Sequence, residues 1–323
     1  MSKPANTLPA DGAVKRTRAQ KFFRKLWNQR YLQFMVIPGI IWLIIFCYVP
    51  MYGIVIAFQD FRPGRDSFFS GAFVGLKHFE AFFNDKYAVQ SVWNTLKISM
   101  IKLVVGFPAP IIFALLLNEL TTPRFKKLVQ SVSYLPYFIS WVVMAGLLYA
   151  LLNVNGPLNE ILLKLGINEE RIAFLAEPGA FTASAVLSDL WKGVGWSSIL
   201  YLAAISNVPQ DMYEAAYIDG ANRFQRCLRI TLPSILPTVT IMLILAVSGI
   251  LGSNFDQHLL LLNANNVSVA RTIDVYVYQM GMGVGRYSYA TAVNFARSIV
   301  SFILLFSADR LARWTSNGER GLF

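Results

Sequence analysis

The stretch EAAYIDGANRFQRCLRITLP, residues 214–233, is polar enough for water yet lies between two long apolar runs, Ala180–Ile205 and Ser234–Phe255. Its punctuation is dense. Pro209, just ahead of it, suits the first turn of a helix, where a missing N–H costs nothing, and Ser206 and Asn207 are cap-type residues. Asp211 and Glu214 fall near the positive end of that helix's dipole. Gly220 supplies the left-handed conformation that stops helices, so a first helix is predicted over Pro209–Asp219. Ala221–Thr231 can form a second, with Arg223, Arg226 and Arg229 at three-residue spacing, ended by Pro233 as the chain turns into the next apolar run. Small Ala215 and Ala216 leave one face low enough to enter a groove on a partner. The plainer alternative is a loop folded only for stability.

What surrounds this element is membrane protein. At 323 residues, 55% hydrophobic and 15% charged, with mean hydropathy +0.47, the chain is too apolar for an ordinary soluble domain. About 20 helical residues cross a hydrocarbon core. Six stretches meet that length with few charges: residues 31–59, 93–117, 128–152, 180–205, 234–255 and 287–308. An all-α protein with six transmembrane helices is therefore expected. The first apolar run is span-length and lacks an A-x-A-like end, so it is expected to remain a span.

Lys and Arg set the orientation, because cytoplasmic flanks carry the positive excess. They crowd the amino-terminal tail, the loop with Arg124, Lys126 and Lys127, residues 206–233, and the end with Arg310, Arg313 and Arg320. Both termini and the 206–233 loop are expected to be cytoplasmic. The +11 formal charge then lies where anionic lipid head groups are, and no nucleic-acid-reading element accompanies it. Residues 1–30 read as a tail with a basic amphipathic helix over 15–30, carrying Phe22, Phe23, Leu26 and Trp27; 31–311 form the membrane domain and 312–323 a second tail. The aromatic segment 60–92 and the segment 153–179 would lie outside. The first either packs on its own span ends or docks an external partner.

Prolines 38, 50, 108, 110 and 136 fall within the first three spans. Either the helices kink and pack, or they break around a path. No phosphate loop G-x-x-x-x-G-K-[ST], no G-x-S-x-G and no H-E-x-x-H is present, so an enzyme is not expected and the chain should not hydrolyse ATP by itself. Two distant cysteines and two histidines without ligand spacing leave neither a disulfide nor a metal site expected.

The opening stretch resembles the EAA loop of binding-protein-dependent ABC importer permeases: E-A-A, three residues, G, nine residues, I-x-L-P, matched by Glu214, Ala215, Ala216, Gly220, Ile230, Leu232 and Pro233. Residues 37–58 and Phe73-Val74-Gly75-Leu76-Lys77-His78-Phe79 look like carbohydrate-uptake members of that family, with His78 where Asn is usual. The resemblance implies a type I importer permease fold in the bacterial inner membrane. It also implies a second related permease subunit, two cytoplasmic ATP-binding subunits that hold ATP and Mg, and an external solute-binding protein. By the same resemblance, contact with the ATPase falls on Glu214, Ala215, Ala216 and Gly220. An oligosaccharide or polysaccharide is the implied cargo, with amino-acid or phosphate uptake, or a receptor that moves nothing, as alternatives.

Ionisable groups inside spans are costly and usually meet a wet interior. Asp189, Trp191, Lys192 and Trp196 in the fourth span, Asn254 and Asp256 at the end of the fifth, and Asn294 and Arg297 in the sixth are therefore the expected substrate pathway. Three-residue spacing lets Asp189 share a face with Lys192, and Asn294 with Arg297. Because Arg grips carboxylates, Lys192 and Arg297 suggest an acidic, uronate-type saccharide. Structural pairing of these groups is the alternative.

Overall fold

The computed structural model describes residues 27–67 and 70–315. The basic helix expected over 15–30 lies outside them up to residue 26, as does the tail beyond 315. Two compact units divide the chain at residues 55 and 56. In the first, helix α1 (Arg30–Leu43) continues through a widened π turn at Ile44–Tyr48. No residue of α1 or of this turn is buried within the chain, as a lipid-facing span requires.

The second unit is helical but for one short antiparallel pair, β1 (Gln59–Asp60) with β2 (Ala72–Phe73), Gln59 opposite Phe73. Helix α2 (Lys77–Asn84) leads to α3 (Lys86–Ile101), which is capped by Asp85 and runs through a π turn at Lys102–Gly106 into α4 (Pro108–Asn118). Then come α5 (Pro123–Tyr134), α6 (Trp141–Leu152), α7 (Pro157–Lys164) and the 29-residue α8 (Pro178–Ser206). Helices α9 (Gln210–Ile218), α10 (Arg223–Arg226) and α11 (Leu232–Ser248) follow. The chain ends with α12 (Phe255–Leu261), α13 (Val267–Ala270), α14 (Ile273–Tyr278) and α15 (Tyr287–Thr315).

Among the described residues, five helical segments are long and apolar enough to cross a membrane: Arg30–Phe58, Lys86–Asn118, Trp141–Lys164, Arg223–Ser248 and Tyr287–Trp314. Helix α8 is long enough but too polar to join them. It is instead well packed within the protein, with ten buried residues along its length. Phe181 and Ala185 pack with Met144, Leu148 and Leu261, while Tyr201 and Ile205 pack with Ile111, Ala114 and Ile235. Gly195 brings α8 so close to α5 that a β-carbon there would overlap the Ser133 carbonyl oxygen.

The prolines explain most departures from regular helix. A proline cannot donate to the carbonyl four residues back, and its ring pushes on it. Widening the preceding turn relieves both, and π turns end two residues before Pro50, Pro108 and Pro233. Pro136 instead sits in a 3₁₀ turn, Leu135–Phe138, after which Ile139 and Ser140 are extended and the Ser140 hydroxyl caps α6. The span expected over 128–152 is thus not one helix. The fifth span also differs. It starts at Arg223, ends at Ser248 rather than residue 255, and gives way to Gly249–Ser253 before Asn254 caps α12. The sixth runs on past 308 to Thr315.

A third cluster ties α3, α14 and α15 together through Ala88, Ile273, Tyr276, Tyr289 and Val293. Tyr276 donates to Asp85 at 2.6 Å and also bonds Tyr289 at 2.9 Å. Burial alone would raise Asp85, but the hydrogen bonds from Tyr276 and from the Tyr87 and Ala88 N–H groups outweigh it and hold its carboxyl below the usual range. A depressed carboxylate contributes stability above its unfolded value, and loses it as pH falls through the folded one. Tyr276→Phe is expected to cost about 1.5–3 kcal/mol at neutral pH. That difference should narrow at an acidic pH, as the pH falls through the depressed titration of Asp85 and the charged acceptor is lost. Thermal melts in detergent at both pH values check this.

Candidate functional site

Two places carry chemistry, the 206–233 loop and a cavity beside α8. In the loop, α9 begins after Pro209 with no side-chain cap: Asn207 and Ser206 do not serve, and the Ser206 hydroxyl bonds Leu202 O instead. Gly220 has φ +77°, and the N–H groups of Gly220 and Ala221 bond the carbonyls of Tyr217 and Ala216. That is the glycine-stopped helix end expected. Asn222 and Gln225 then cap α10 reciprocally, a signal legible as N-x-x-Q that the sequence reading passed over.

Pro233 does not end this second helix. With the π turn Cys227–Thr231 ahead of it, α10 runs on into α11. The Tyr213 hydroxyl holds α9 to this helix through Thr231 Oγ1 at 2.9 Å. Glu214, Ala215 and Gly220 are exposed and Ala216 half-buried, while Tyr217, Ile218 and Phe224 stand largely in the open.

The cavity, of about 560 Å³, lies among α3, α4, α8 and α11; its walls include Ser99, Lys102, Phe107, Asp189, Trp196, Ser197 and Tyr201. Its size is that of ordinary ligand sites, roughly 300–1,000 Å³. Lys102 and Asp189 are the charged residues of its wall and pair at 3.1 Å. Lys102 also donates to Gln257 Oε1 at 3.0 Å, and Asn254 Nδ2 donates to Asp189 Oδ1 at 3.0 Å. Gln257 in turn donates to Ala185 O and Ser188 Oγ. Three separate elements, α8, α12 and the turn after α3, are thereby joined by one polar network.

Of the expected pathway residues, then, Asp189 and Trp196 line this cavity and Asn254 supports Asp189 from behind. Lys192 does not share Asp189's work. It is buried, 9% exposed, and donates to Pro136 O at 3.3 Å and Tyr137 O at 2.5 Å. Trp191, Asp256 and Asn294 are exposed away from the cavity wall.

Arg297 pairs with Asp274, which also accepts from the Ser253 N–H and hydroxyl, and it borders a second, shallower hollow with Ser248, Ser298 and Ser301. The two cations that suggested an acidic cargo are therefore both engaged in internal contacts. Lys102, an isolated charge in the second span, and Gln257 and Asp274 are the residues that reading missed. Only Lys102 had a signal in the sequence, its position within an apolar run. Swapping Lys102 for methionine is expected to leave Asp189 without its counterion, though still bonded by Asn254, and to lower stability by about 1–3 kcal/mol, read as a lower melting midpoint.

The family model for binding-protein-dependent transport system inner membrane components matches residues 106–317. The chain is 42% identical, over 98% of both chains, to the polygalacturonan/rhamnogalacturonan transport system permease protein YteP of Bacillus subtilis (strain 168). It is 28% identical, over 96% of both, to the arabinooligosaccharides transport system permease protein AraP of the same organism. Among solved structures, a chain of the bacterial alginate ABC transporter in complex with alginate pentasaccharide-bound periplasmic protein matches with a TM-score of 0.84 and 34% identity, covering 94% of this chain and all of that one.

Proposed function

Because this chain belongs to the binding-protein-dependent transport system inner membrane component family, we propose that it is one of two permease subunits of an ATP-driven importer for an acidic, uronate-containing saccharide. It is a multi-pass protein of the bacterial inner membrane. On this proposal α8 completes six spans, both termini and the 206–233 loop are cytoplasmic, and α9 docks in the ATPase subunits, which bind ATP and Mg. A periplasmic solute-binding protein delivers cargo on the other side. The observation that carries the cargo reading is full-length similarity to permeases named for polygalacturonan and alginate transport.

Within the cavity, Lys102 is the group able to meet a carboxylate, at the expense of its bond to Asp189. A second reading, neutral saccharide, draws on the same pair. Lys102 matched by Asp189 leaves the wall without net charge, and hydroxyl-rich cargo needs none.

Vesicles containing the whole complex and its binding protein, offered a panel of acidic and neutral oligosaccharides with ATP, test both. ATP-dependent uptake of uronates over neutral sugars is expected. Lys102→Met should narrow that preference by about tenfold, as the loss of one charge-assisted hydrogen bond implies. Uptake of neutral sugars alone would favour the second reading, uptake of amino acids or phosphate would refute both, and binding without uptake would identify a receptor.

A further inference from the structure

The 3₁₀ turn at Leu135–Phe138 interrupts a run of apolar helix, and the carbonyls it frees cannot be satisfied by lipid. Lys192 donates to two carbonyls of the turn, that of Tyr137 and that of Pro136, which also accepts from the Ile139 N–H. Its ammonium also lies 5.3 Å from the Tyr137 ring centroid and 5.7 Å from that of Trp141. Tyr137 is thus held by its backbone and by its ring together. It stacks on Trp196 with centroids 4.6 Å apart and planes within 5°. Phe138 meets the same indole edge-on at 5.5 Å. Trp196, 40% exposed, lines the cavity, and Phe138, 71% exposed, continues the aromatic surface past it.

We propose that the surface formed by Trp196 and Phe138, backed by Tyr137, is a stacking subsite for a pyranose ring of the cargo, and that Lys192 is the residue that positions it. The inference rests on reading the chain as a saccharide permease. A pyranose presents a face of C–H groups with slight positive charge, and an aromatic face is slightly negative, so the two attract beyond simple burial. Its rim of hydroxyls needs partners close by. Asp189, held by Lys102 and Asn254, and Ser197 line the same cavity as Trp196 and supply them. An indole that could turn would lose the stacking geometry. Tyr137 covers one part of it, and Tyr137 in turn is fixed by Lys192.

The test uses the complete complex in vesicles, with saccharide-loaded binding protein, and compares Trp196→Leu with Trp196→Phe. Leucine keeps apolar bulk without a π face. Trp196→Leu is expected to lower uptake about tenfold and Trp196→Phe about two- to threefold, in line with the worth of an aromatic contact. Lys192→Met should fall to the level of Trp196→Leu, and the double variant should fall no further, because both act on one surface. Equal uptake by the Leu and Phe variants, or additive losses in the double variant, would overturn the inference while leaving the permease reading intact. A wild-type complex that moves no saccharide would overturn both. Should the Trp196 variants fail to assemble, Phe138→Leu decides the matter at an exposed position. A drop of about twofold or more supports stacking, and unchanged uptake overturns it.

Discussion

Replacing Gly195 with alanine is expected to leave little folded protein to purify. The added β-carbon would sit on the carbonyl oxygen of Ser133, and neither atom belongs to a flexible side-chain end. Helices α5 and α8 must therefore separate, which forfeits the close approach that small residues allow between helices in lipid. Overpacking of this kind costs about 1–3 kcal/mol, and more when backbones must move.

The damage does not stop there. Lys192 is one turn away on the same helix, and its two carbonyl partners lie just beyond Ser133 on the neighbouring segment. Hydrogen bonds from a charged group are worth about 1.5–3 kcal/mol each, and a separation of the helices strains both. Against a total stability of about 5–15 kcal/mol, the sum is decisive. The yield of monodisperse protein and its melting midpoint in detergent are the measurements. A Gly195→Ala protein with wild-type yield and midpoint would show that α5 and α8 are not in this contact.

The second large effect concerns coupling. Gly220→Pro is expected to abolish uptake, about a hundredfold or more, while ATP hydrolysis by the assembled complex continues. Gly220 has φ +77°, and proline is confined near −65°. Nothing lies within 4 Å of the space a β-carbon would take, so the substitution acts through the backbone: the angle is lost, and with it the Gly220 N–H bond to Tyr217 O. The helix end must unwind, at a local cost of about 1–3 kcal/mol, and α9 then loses its fixed angle to α10. The spans themselves are untouched. Glu214→Lys should uncouple as well, by reversing the charge on the docking face without altering the turn. Uptake and ATP hydrolysis measured on the same vesicles separate this outcome from simple misfolding. Full transport by both variants would remove α9 from the coupling role.

How much of this could be read from the chain differs by place. The 206–233 loop was nearly all legible, because helix stops and caps are local: Gly220 behaves as its freedom from a β-carbon requires. Its errors were small: Ser206 and Asn207 do not cap α9, Asn222 with Gln225 does cap α10, and Pro233 is no terminator, because a π turn ahead of it keeps the helix going. The spans were legible as apolar runs, but their breaks were not. Pro136 and Pro108 are the same residue type in similar surroundings, yet one sits in a 3₁₀ break and the other follows a π turn, a choice made by packing.

The pathway was the least legible. Asp189 and Lys192 lie three apart and were expected on that ground to share a face of the pathway, whereas each found a partner on another segment, Lys102 and the carbonyls at 136 and 137. Helical spacing tells which residues share a face. It does not tell what lies opposite.

The polarity of α8 has a last consequence, for the order in which the protein enters the membrane. Asp189 and Lys192 near its middle each disfavour partition from the translocation machinery into lipid by about 2.5–3.5 kcal/mol. Every group that neutralises them directly from another helix or turn, Lys102 and the carbonyls of Pro136 and Tyr137, lies earlier in the chain, apart from Asn254. On the proposal that α8 completes the six spans, the preceding segments are in place when it emerges during synthesis, and it enters against them rather than into bare lipid. Its insertion is therefore conditional on its neighbours. An isolated copy of residues 178–206 fused to a reporter is expected to be translocated through the membrane, and the same residues preceded by 86–177 to be retained in it.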